Sequence, residues 1–227
     1  MTQVASRLER HLRALRALRG DAARTPSRLA ELKRWQSQRL ARTYADYAAQ
    51  PRYRAATAFF IDDLYGAKDF SSRDQAMLRI MPVMTRLLPA SAVETAAIAI
   101  ELEALSEELD HRLAIKLPAG AITDAGYAQA YREGGTRAER ERQVELIGAA
   151  GHRLDAVVRK PMLGHTLKLM RRPARMAGLA DLQDFLERGY DAFRAMHGAE
   201  EFLADVERRE RRIMSGLFSA DPRPFSW

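Results

Sequence analysis

The chain has 227 residues, 47% of them hydrophobic and none of them cysteine, so it can bury a substantial core without disulfides, and thiolate zinc sites, iron–sulfur clusters and cysteine nucleophiles are excluded. Its formal net charge of +7 is gathered at one end: residues 1–54 hold 13 Lys/Arg and 4 Asp/Glu, a balance of +9, which leaves −2 for the remainder. No run of about 18 consecutive apolar residues occurs, and charges recur throughout residues 1–20, so neither a spanning helix nor a secretory signal is expected and a cytoplasmic location is the expectation.

Helical periodicity dominates, with no alternation typical of strands and no hairpin turns. Residues 2–19 carry Val4, Leu8, Leu12, Leu15 and Leu18 at steps of three and four, with Arg7, Arg10, Arg13 and Arg16 on the opposite side and Gly20 as a stop. Such a helix serves equally to pack on a core or to meet a membrane surface, through acyl chains and anionic headgroups, or a partner helix. Thr25-Pro26 predicts the start of a second helix through Leu29, Leu32, Leu40, Tyr44 and Tyr47, and Pro51 opens a third that runs to Gly66. Ser71 and Asp74 have capping-box spacing for a fourth, which Pro82 should kink and Pro89 should end. A long fifth helix over 91–116 and a short sixth over 124–132 follow. A seventh begins at Thr136, is interrupted at Pro161 and resumes through Leu163, Leu167 and Met170. An eighth over 179–196 and a last over 199–218 complete the prediction. The tail "SADPRPFSW" has no periodicity and reads as either docked or disordered.

The expected fold is therefore all-α: a single helical domain over 1–218, with basic amphipathic helices in 1–50, a helical core in 51–218, a tail at 219–227, and proline-kinked helices near Pro82 and Pro161.

The segment "FFIDDLY", Phe59 to Tyr65, places adjacent carboxylates beside two phenyl rings. On a helical wheel of about 100° per residue, Asp63 turns toward Phe59 and Phe60 while Asp62 points away. A carboxylate leaving water near a helix C-terminus pays both a desolvation cost and the unfavourable end of the helix dipole, so Asp63 requires a partner. The nearest in sequence are the backbone amides near Ser72 and the guanidinium groups of Arg73 and Arg79. A structural corner is the favoured role, with a metal-binding or catalytic carboxylate as the alternative.

"RYRAATAFFIDDLYGAKDFSSRDQAMLRIMP", with "LEALSEELDHRLA" and "RRPARMAGLADLQDFLERGYDAFRAMHGAEEF" further on, resembles the bacterial proteins named for an FFLEELY motif, here written FFIDDLY. What the resemblance implies is an α-helical bacterial protein with no assigned biochemistry. The exchange of the two Glu for Asp62 and Asp63 keeps charge and shortens reach.

Three further features invite chemistry. "ELDH" sets Glu108 and His111 on one helical face with Glu101 two turns earlier, part of the pattern of carboxylate-bridged metal bundles, but only one Glu-x-x-His pair exists. On the wheel Glu94, Glu101 and Glu108 border the apolar stripe, with Glu103, Glu107 and Asp110 well outside it, and border glutamates usually meet arginines of neighbouring helices. Adjacent aspartates also suggest a magnesium-diphosphate site, but neither the aspartate spacing nor a repeat on a facing helix is present. "RKPMLGHTLKLMRRPARMAG" gathers Arg159, Lys160, His165, Lys168, Arg171, Arg172 and Arg175 beside two proline-marked helix starts, a candidate anion site in which His165 could serve as acid, base or haem ligand. "GAAG", Gly148 to Gly151, follows no strand and reads as a close helix contact rather than a nucleotide loop.

The sequence thus predicts a non-catalytic binding protein whose basic surfaces take an acidic protein surface, an anionic lipid or a small anionic ligand, with peripheral membrane association as one form of this. The alternative is an enzyme or cofactor-binding bundle of metal-carboxylate or haem type, with a cavity near Asp63, Glu101, Glu108 and His111. No cofactor and no metal are expected. Nucleic acid is the less favoured partner, since no recognition module is present.

Overall fold

The computed structural model describes residues 3–20, 25–64, 80 and 90–226. These residues form ten α-helices and no strand: α1 (Gln3–Gly20), α2 (Leu29–Thr43), α3 (Ala45–Ala49), α4 (Pro51–Phe59), a π-helical turn (Phe60–Leu64), α5 (Ala90–Lys116), α6 (Asp124–Gly134), α7 (Arg137–Val158), α8 (Leu163–Met176), α9 (Ala180–Ala195) and α10 (Glu200–Phe218). The expected cap at Ser71 and kink at Pro82 lie outside the described residues, as does Trp227.

The bundle is organised around α5, which at about 1.5 Å per residue is roughly 40 Å long and packs against α1, α2, α6 and α7. Leu8 and Leu12 of α1 sit, with no exposed surface, in one core cluster with Val93, Ala97 and Ile100 of α5. Arg7 reaches Glu94 at 2.6 Å, and Arg19 reaches Glu103 and Glu107 at 2.9 and 2.8 Å. The apolar face of the first helix thus packs on the core, and two of its arginines are matched to α5 glutamates.

The second predicted helix starts later and ends sooner than expected. α2 begins at Leu29 after a turn over residues 26–28, and Tyr44 separates it from α3. Gln50 is extended because the following Pro51 disfavours helical backbone before it, and Pro51 itself occupies the first turn of α4. At Pro161 the chain breaks rather than bends. α7 stops at Val158, and Met162 takes a left-handed conformation (φ 70°) before α8 begins. Pro173 lies inside α8 and starts no helix, which corrects the second proline-marked start.

Thr136 caps α7 with a full capping box: its hydroxyl accepts from the Glu139 N–H at 3.3 Å, and Glu139 accepts from the Thr136 N–H at 2.7 Å. The GAAG glycines let α7 and α10 close on each other, since a methyl at Gly148 would overlap the Glu207 carboxyl and one at Gly151 would overlap Leu203. The tail docks through Phe225, which meets Trp35 edge-on at 5.7 Å and Tyr127 at 6.0 Å.

Candidate functional site

Asp63 lies in the π-helical turn that ends α4. It is 5% exposed, whereas Asp62 is open to solvent. Phe59, four residues earlier, packs on α9 at Gly189, where an added methyl would come 2.9 Å from the ring, and against Phe185 at 5.4 Å. That contact brings Arg188 of α9 over the carboxylate. Its Nη2 donates to Oδ1 at 2.9 Å and its Nε to Oδ2 at 3.2 Å, a two-pronged charge-assisted pair across 125 residues of chain. Ser72, Arg73 and Arg79, the partners expected from sequence, lie outside the described residues. Arg188 had no local signal, because the contact exists only once α4 and α9 are packed.

The acidic row of α5 is arranged differently from the wheel. Glu107 is 4% exposed and Glu108 is in solvent. Glu107 accepts from Arg19 Nε at 2.9 Å and from Lys33 Nζ at 2.7 Å. Burial opposes its ionisation, yet Lys33 and Arg19 together hold its carboxyl below the usual carboxylate range. Asp110 accepts from Gln36 Nε2 at 2.8 Å, and burial raises its carboxyl above the usual range. The wheel failed here because α5 is enclosed on several sides: α1 and α2 cover the face that a single apolar stripe would leave to water.

The candidate metal set is not brought together. Glu101 accepts from Arg142 at 2.6 Å, Glu108 points outward, and His111 donates Nδ1–H to the Glu107 carbonyl at 2.9 Å. Among the described residues no three His, Asp or Glu side chains converge as metal ligands.

The basic segment divides into committed and free cations. Arg159 pairs with Asp155, which also accepts from the Ala199 N–H at the start of α10. Lys160 donates to Ser91 at 3.3 Å, and Arg171 is locked to Glu187 by contacts of 2.5 to 2.8 Å. His165, Lys168, Arg172 and Arg175 are exposed and make no ion pair among the described residues. They sit on α8, which packs on α9 through half-buried Leu163 and Leu167 and buried Ala174. Its outward side carries Leu169 (64% exposed) and Met176 (82%), with Met162 (74%) at the N-cap.

A feature with no signal in the linear sequence lies at the centre. A cavity of about 60 Å³ is walled by residues of α2, the π-helical turn, α5, α6, α7 and α10, including Arg39, Phe60, Asp110, Tyr131, Arg140 and Glu210. Arg39 and Tyr44 both donate to Glu210, at 2.7 and 2.8 Å. Arg140 stacks 4.0 Å over the Tyr131 ring and donates Nη1 to Gln143 at 3.1 Å. Burial pushes the Tyr127 and Tyr131 hydroxyls upward, so both are neutral at physiological pH.

Among the described residues no helix is long and apolar enough to cross a membrane. No curated protein and no solved structure matches the chain. Residues 15–224, most of its length, match the family model described as a domain of unknown function (DUF8198). The chain belongs to this uncharacterised domain family.

Proposed function

We propose that the protein is a non-catalytic peripheral binder of anionic membrane surfaces, and that α8 is the element that touches the lipid. The observation that carries this is the juxtaposition of an exposed apolar ridge with cations that are unpaired among the described residues. Stepping about 100° per residue, Leu169, Pro173 and Met176 fall within about 60° of one another, and Arg172, Lys168 and Arg175 follow within the next 100° or so. Neighbouring helices bury the other side of α8, so this one is presented outward.

A ridge rather than a groove, with flexible Met and Leu side chains flanked by cations, suits a fluid, planar, negatively charged surface. Apolar side chains enter the acyl boundary while Lys and Arg meet headgroup phosphates. An acidic protein would have to supply a complementary groove for the ridge. The first helix, the other amphipathic candidate, has its leucines buried against α5.

Flotation with equimolar phosphatidylcholine and phosphatidylglycerol vesicles, compared with phosphatidylcholine alone at low and high salt, tests the proposal. Binding is expected only to the anionic vesicles, weakening with salt, and is expected to be lost in the Lys168→Glu, Arg172→Glu, Arg175→Glu variant. Met162→Gly serves as a second arm. It relieves a left-handed backbone that costs a non-glycine residue on the order of 1 kcal/mol, so binding should fall without loss of stability. Equal flotation with both vesicle types, or unchanged flotation of the charge-reversed variant, would overturn it.

A further inference from the structure

Arg140 lines the central cavity, and its recognition edge is unused among the described residues. Arg140 is 2% exposed, and among the described residues its Nε and Nη2 find no hydrogen-bond partner. Those two atoms form the edge of the guanidinium that takes a carboxylate in a two-pronged grip. Other arginines of this chain use it so: Arg188 on Asp63, Arg28 on Glu31, Arg142 on Glu101 and Arg171 on Glu187. Arg140 is the most buried of these arginines, and among the described residues its edge donates to no carboxylate.

A guanidinium taken out of water with two N–H groups unmatched is strongly disfavoured unless something in the cavity faces it. The carboxylates that line the cavity are otherwise engaged: Glu210 serves Arg39 and Tyr44, and Asp110 accepts from Gln36. Ser106 accepts from Gln143, whose own oxygen accepts from Nη1 of Arg140 and helps orient the guanidinium. Tyr131 beneath it completes a held, pre-oriented cation. The same space is lined by Val144, Ile147 and Leu217, which give its wall an apolar part.

We infer that the cavity is a binding site for a small monocarboxylate, with Arg140 gripping the carboxylate through Nε and Nη2 and the apolar wall receiving a short alkyl or similar tail. The size follows from the volume. About 60 Å³ holds about four to six waters, which corresponds to a carboxylate of about six non-hydrogen atoms or fewer. Phe60, from the FFIDDLY segment, forms part of the wall, so the same turn that sets Asp63 against Arg188 also shapes this space.

The inference is independent of lipid binding, because α8 contributes nothing to the cavity. Its test uses propionate and the uncharged, nearly isosteric propionamide as probes, with saturation-transfer NMR on the full chain and competition by formate, acetate and butyrate. Propionate is expected to bind and propionamide to bind about tenfold more weakly or worse, since the charge-assisted pair supplies the difference. Arg140→Met should lose propionate by about tenfold or more while remaining folded, because an apolar side chain of similar length suits a buried site. Should that variant fail to fold, Val144→Ile, whose added methylene takes up part of the same space, should weaken butyrate more than formate. Equal binding of propionate and propionamide, binding unaffected by Arg140→Met, or no carboxylate binding to the wild-type chain would overturn the assignment.

Discussion

Exchanging Glu107 for Gln tests how the acidic row of α5 is held. Glu107 is buried and accepts three close N–H contacts, two from Arg19 (2.9 and 2.8 Å) and one from Lys33 (2.7 Å). Hydrogen bonds to a charged group contribute about 1.5–3 kcal/mol each. Gln keeps one oxygen, so one cation retains a weaker bond, and the Arg19 and Lys33 side chains, 13% and 21% exposed, recover some solvent. The expected loss is about 3 kcal/mol, at the low end of what breaking a buried pair costs. With a urea slope of about 2 kcal/mol/M this lowers the midpoint by about 1.5 M. Glu108→Gln, one residue on but in solvent, should stay within about 0.5 kcal/mol. Because the folded-state carboxyl of Glu107 is held below its ordinary value of 4.5, its contribution is present above that value and fades as pH falls through the folded-state one, so the gap between variant and wild type should narrow in acid. Equal urea midpoints for the two variants at pH 7 would refute the network.

Two further substitutions probe the other carboxylates. Asp63→Ala should destabilise by about 1–2 kcal/mol, less than a fully buried pair because Arg188 is 52% exposed and can turn to water, while Asp62→Ala stays within about 0.5 kcal/mol; urea midpoints of the two variants decide this. Asp110 works in the opposite sense from Glu107. Burial raises its folded-state pKa, so the protonated form favours the fold and that stability is lost as pH rises through the raised value. Asp110→Asn should therefore gain melting temperature relative to wild type as pH rises from 4 to 7, and a difference that stays constant across that range would count against a raised value.

The sequence made most helices legible because their stops are local: Gly20, Pro51 and Thr136 act within a turn of themselves, and the structure ends or begins elements at or beside each. The division at Tyr44 was not legible, since no proline or glycine marks it and packing of α2 and α3 sets it. Asp63 turned inward on a wheel because Phe59 and Phe60 are beside it in sequence. Its partner Arg188 lay 125 residues away, in a helix whose own pattern says only that one face is apolar. The wheel of α5 misplaced Glu107 and Asp110 for a related reason: periodicity identifies one buried stripe, whereas a central helix has several covered faces. The cavity is the extreme case, since its wall draws on α2, the π-helical turn, α5, α6, α7 and α10, and Arg140 is one arginine among many until they assemble. The cations of α8 were visible as a cluster from composition. Only the structure separates Arg159 and Arg171, which are paired, from Lys168, Arg172 and Arg175, which make no ion pair among the described residues.

Hydrogen–deuterium exchange on the full chain, with and without equimolar phosphatidylcholine and phosphatidylglycerol vesicles, addresses the lipid-facing role of α8 most directly. The expected result is slowed exchange over residues 163–176 that disappears at high salt, with α1 and α5 unchanged. Protection confined to α1, or no protection of α8 while the protein is vesicle-bound, would contradict it.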